Sequence, residues 1–140
     1  MKRLQLSLAI ICFSISAFAI NPTHVSKQEK YINIEIFPNG FAVVDRDTMA
    51  IDMLSKEIQT RLWKSYLGTG KMYDGLKLHL KGDVLMGAKG SALDAIKDGQ
   101  QKALAELCIM KYKKEYSTLS PAQQGKLQKQ FPVLFQELQW

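Results

Sequence analysis

Apolar and polar positions alternate cleanly in the segment "YINIEIFPNGFAVVD". Ile32, Ile34 and Ile36 fall on one side and Tyr31, Asn33 and Glu35 on the other, the period of two of a half-buried strand. Pro38-Asn39-Gly40 supplies turn chemistry, because Asn and Gly accept positive φ at low cost, and "FAVV" returns as a short second strand. From about Ala50 the period lengthens. Ile51, Leu54, Ile58 and Leu62 recur at three and four residues with Lys56, Glu57, Gln59 and Arg61 between them, which predicts an amphipathic helix. Gly68 is its expected stop and "GTGKMYDG" a loop. Leu76, Leu78 and Leu80 then alternate with Lys77, His79 and Lys81, a third strand with a basic face in water.

"GDVLMGAKGS" reads as a glycine-rich connection into a second helix, with Ser91 as the cap and Asp94 three residues on. Leu93, Ile96, Ala103, Leu104, Leu107 and Cys108 carry the helical pattern to about Tyr116. Gly99 is a weak spot within it, costing about 1 kcal/mol relative to Ala. Lys111, Lys113 and Lys114 lie near the end, where the helix dipole favours positive charge. Ser120 as cap, Pro121 at the first helical position and Gln123 in a box-like start open a further short helix, which Pro132 ends. "VLFQELQW" is a partly apolar tail that either docks on the body or frays. The pattern predicts an α+β fold: a small sheet of about three strands packed on two main helices, with an extra C-terminal helix.

Upstream, Lys2 and Arg3 precede an uncharged run from Leu4 to Ile20, with the small-x-small triplet Ala17-Phe18-Ala19 and then Asn21-Pro22. These are the three parts of a secretory signal. As a helix the run would span about 25 Å, short of the roughly 30 Å hydrocarbon core. The expectation is cleavage after Ala19, with an uncleaved membrane anchor as the alternative. Cys12 follows Ile10-Ile11, where a lipoprotein signal wants a small residue. The expected organisation is a signal over 1–19, a linker over 20–30, a folded domain over 31–116 and a C-terminal helical extension over 117–140.

Loss of 19 residues from 140 leaves 121, the size of one ordinary domain, and lowers the net charge from +6 to +4. The lysines are spread along the chain without an Arg-rich block, so nucleic acid is not an expected partner. Cys108 is then the single cysteine and cannot form an internal disulfide; its neighbours Leu104, Leu107 and Met110 predict a buried thiol.

No catalytic, cofactor-binding or metal-binding residue is predicted. Gly82 to Lys89 resembles a phosphate loop, but Gly87 is followed by Ala88 and Lys89 by Gly90, so the adjacent Gly-Lys-Ser/Thr is missing. His24, His79 and Cys108 are too scattered for a zinc site. Asp45, Asp47 and Asp52 cluster where capping and solubility explain them. Trp63 and Tyr66 border the first helical stripe, and Trp140 is a surface or docking residue.

The stretch "INIEIFPNGFAVVDRDTMAIDMLSKEIQTRL" resembles the periplasmic domain of the ExbD/TolR biopolymer-transport family, which opens with an alternating strand, a glycine turn, a second strand and a helix of this spacing. Further on, Tyr116, Leu119, Gln123, Phe131 and Pro132 stand as in a long-tailed ExbD-like branch. The resemblance covers residues 31–132. It implies a non-enzymatic periplasmic component or accessory of a proton-motive-force-driven, Ton/Tol-type system. It also implies a homodimer, cell-envelope protein partners and contact with peptidoglycan. The family carries an aspartate in its membrane helix, where an acid is costly and kept for function. Leu4 to Ile20 contains no Asp or Glu, so the proton-relay role carries over to no residue here. The alternative is a free-standing periplasmic binding or regulatory module unrelated to transport. Intact mass of the protein recovered from fractionated cells is expected to start at Ile20; a mass retaining Met1 to Ala19, in the membrane fraction, would establish the anchor instead.

Overall fold

A computed structural model describes residues 28–139. The expected signal, its cleavage point at Ala19, His24 and Trp140 lie outside those residues. Strand β1 (Tyr31–Ile36) buries Ile32, Ile34 and Ile36 completely, as the alternation requires. After a turn in which Gly40 takes φ 79°, β2 (Phe41–Val44) pairs antiparallel with β1, Ile34 opposite Val44.

The sheet has four strands rather than three. β3 (Asp47–Ala50) returns antiparallel to β2, with Val44 opposite Asp47 across a two-residue turn begun by Asp45 at φ 55°. None of its residues is fully buried, so "DTMA" shows no apolar alternation; ladder hydrogen bonding, not burial, makes it a strand. β4 (Gly75–Leu80) lies parallel to β1, giving the order β3-β2-β1-β4 in a mixed α+β fold. The sheet's other face is wet: Lys81 pairs with Glu35 at 3.0 Å and Lys77 sits 4.0 Å from the centre of the Tyr31 ring.

Helix α1 (Leu54–Thr69) buries Leu54, Ile58 and Leu62. Gly68 does not stop it. Gly70 does, at φ 70°, with its N–H donating to the Tyr66 carbonyl. Helix α2 (Met86–Tyr112) starts well before Ser91, which is no cap, and takes Gly87 and Gly90 into its first turns. Tight turning falls instead to Gly82, at φ 75°. Packing of Ala92 and Ile96 carries the helix through its glycines, as tertiary contact often does where propensity is poor. Lys113 ends α2 at Tyr112, short of Tyr116, by adopting φ 57°. Helix α3 (Pro121–Gln130) opens with the expected capping box of Ser120 and Gln123. Leu119, Leu127, Phe131, Val133 and Leu134 join the same core as Ile32 and Leu62, so the tail docks rather than frays.

At Gly99 the backbone of α2 lies directly against α1. A Cβ there would stand 2.6 Å from the Ser55 carbonyl oxygen and 3.0 Å from the Ile58 Cβ. Side chains lock the crossing on either side. The Ser55 hydroxyl donates to Asp98, and Gln59 Nε2 donates to Glu106 Oε1 at 2.6 Å. Hydrogen bonds from Lys102 and Ser55 hold the Asp98 carboxyl below its ordinary pKa. The contrast with Gly125 is testable, because a Cβ at Gly125 meets nothing within 4 Å. In chemical denaturation, Gly99→Ala is expected to lose about 1–3 kcal/mol through overpacking. Gly125→Ala is expected to gain up to about 1 kcal/mol from helix propensity.

Candidate functional site

Gln100 follows Gly99 on the stripe of α2 that includes Ile96, Ala103 and Leu107, and it is only 4% exposed. A buried amide needs partners. Its Nε2 donates to the carbonyls of Val133, at 2.7 Å, and Gln136, at 3.1 Å. The Gln136 side chain in turn reaches edge strand β4. Its Oε1 accepts from the Leu76 N–H at 2.8 Å, and its Nε2 donates to the Leu76 carbonyl at 3.0 Å. One side-chain amide thus stands in for one residue of a fifth strand.

These two amides hold the tail beside α2 without letting it collapse onto the helix. A groove of about 960 Å³ remains between them. Leu93, Leu104 and Ile109 of α2 line one side, and Leu134, Phe135 and Leu138 the other. The Tyr116 ring lies 5.6 Å from that of Phe135 on the same wall, held by Gln124 at its carbonyl and by Gln128 at its hydroxyl. Four charged residues line the groove: Asp94, Glu115, Glu137 and Lys97. None forms an ion pair among the described residues. A shallower hollow of about 410 Å³ shares Ala105 and Ile109 with the groove and continues to Trp63 and Met110.

The residues weighed for chemistry on sequence grounds are not brought together here. Asp83 sits in the exposed turn before α2, and His79 points from β4 to the wet face. Lys89 and Gly87 are helical, so no phosphate loop forms. Asp45 and Asp47 cap no helix; α1 and the turn before it have no side-chain cap. They grip Arg61 together with Glu57. Nη1 meets Asp45 at 2.7 Å, Nε meets Glu57 at 2.6 Å and Nη2 meets Asp47. Burial works against the Arg61 charge, but Glu57, then Asp45 and Asp47, outweigh it and raise its pKa. Cys108 is free and buried, and burial pushes its thiol up. Among the described residues no group of three or more His, Cys, Asp or Glu is placed to hold a metal ion. Among them, too, no helix is long and apolar enough to cross a membrane.

Of the long-tailed ExbD-like positions, Tyr116 lines the groove, Leu119 and Phe131 are core, Gln123 serves the cap of α3 and Pro132 opens a 3₁₀ turn. Sequence reasoning passed over Gln100 and Gln136. A signal existed for Gln100, a polar residue in register with an apolar stripe; none existed for Gln136. Gln100→Leu is expected to strand two tail carbonyls at a cost of about 1–3 kcal/mol. Hydrogen exchange and limited proteolysis would then show the segment 133–139 released while α1 and β1 stay protected. Comparison of the chain with protein-family models, with curated proteins and with solved structures finds no match to any of them.

Proposed function

We propose that this chain is a non-enzymatic binding component of the cell envelope, an exported accessory of a proton-driven, Ton/Tol-type transport system. The observation that carries the binding role is the groove beside α2: concave, apolar and rimmed by charges that form no ion pair among the described residues. Such a surface suits holding another molecule. The envelope setting rests on the signal-like segment and on the ExbD/TolR-like pattern over residues 31–132. Its role is that of an adaptor or competitor, because Leu4 to Ile20 supplies no acid for proton relay.

A free-standing periplasmic binding module is the second reading. β3, inserted between β2 and α1, favours it, because the resemblance carries no strand at that place. The two separate in one experiment. Full-length tagged protein, cross-linked in cells and purified from solubilised envelopes, is expected to bring down a polytopic inner-membrane protein of a proton-driven complex and to run as a dimer. A strictly monomeric protein that brings down neither envelope protein nor peptidoglycan would sink the transport reading and leave the free-standing module.

A further inference from the structure

The rim of the groove is opposite in sign to the molecule. The whole chain carries a net charge of +6, yet three of the four charged residues lining the groove, Asp94, Glu115 and Glu137, are acidic and only Lys97 is basic. A local acid patch on a basic protein disfavours an anionic occupant. Fatty carboxylates, anionic lipid headgroups and acidic cell-wall polymer would all meet like charge there. The apolar lining calls for hydrophobic anchors, and the rim for cations beside them.

Shape narrows the occupant further. From Leu93 to Ile109 the α2 wall runs about 24 Å at 1.5 Å per residue, the length of a peptide segment rather than of a compact metabolite. The opposite wall is the end of the 3₁₀ turn Pro132–Leu134 and the chain after it, which has no regular secondary structure. The main-chain groups of Glu137, Leu138 and Gln139 make no hydrogen bond among the described residues, so they offer donors and acceptors to a second backbone. We infer that the groove between α2 and the C-terminal tail docks an apolar segment of a partner polypeptide that carries Lys or Arg residues. The inference rests on the envelope-adaptor reading for where that partner resides, and it names the chemistry by which the partner is held.

The test uses the full-length protein and a labelled Leu/Lys peptide of about eight residues, enough to follow the groove at about 3.3 Å per residue when extended. The control peptide replaces each Lys with Glu. Net charge alone would draw the Leu/Glu peptide to this protein, so a preference for Leu/Lys reports the local rim. Fluorescence anisotropy is expected to show Leu/Lys binding at least about tenfold tighter. That margin should shrink as ionic strength rises from about 0.1 M to 1 M. The double variant Asp94→Lys with Glu137→Lys should reverse the preference while its circular dichroism stays unchanged. Equal affinity for the two peptides, no binding of either, or a preference untouched by the double variant would overturn the inference. So would tighter binding of anionic lipid vesicles than of the Leu/Lys peptide. Self-association that the double variant abolishes would overturn it too, and would assign the groove to a second copy. The adaptor reading fails separately: lost recovery of an envelope partner with peptide binding intact sinks that reading alone.

Discussion

The fold depends on how closely two helices can approach at Gly99. The Ser55 carbonyl of α1 occupies the space where any side chain on that residue would begin. With the helices this close, Leu54, Ile58 and Leu62 of α1 and Ile96, Ala103 and Leu107 of α2 close over Ile32, Ile34 and Ile36 as one layer on one sheet. Ser55 with Asp98, and Gln59 with Glu106, set the position of one helix along the other. Packed interiors do not deform smoothly, so a side chain at Gly99 would move α2 as a body rather than dimple it.

What moves α2 moves the tail, because Gln100 is the next residue. Its amide binds the tail carbonyls, and Gln136 binds the edge of β4. A segment with no regular secondary structure is therefore held at both its neighbours by side chains that replace main-chain pairing. The groove follows from this construction. The tail is fixed at two points and held off the α2 surface between them, so Leu93, Leu104 and Phe135 line a cleft instead of closing a core.

Charge is arranged in two registers. On the β2–β3 side three carboxylates converge on Arg61 and tie the hairpin turn to α1, a structural use of acids. Along the groove Asp94, Glu115 and Glu137 have no such partner among the described residues. The same residue type is satisfied internally in one place and presented outward in the other.

The alternation in β1 and β4, the stripe of α1 and the capping box of α3 were legible because each is a local period or a local hydrogen-bond motif that burial and capping reward wherever they occur. β3 was hidden: an exposed edge strand four residues long has no apolar pattern to display. The ends of the helices slipped because a glycine signals a stop without saying which one will take the left-handed conformation; Gly70 does so and Gly68 does not. Composition and order alone determined an α+β domain with one core, a basic surface and a buried thiol at Cys108. Tertiary structure decided why Gly99 must be glycine, which carboxylates Arg61 holds, and that Gln100 and Gln136 prop a groove open, because each of these depends on atoms brought together from residues far apart in the chain.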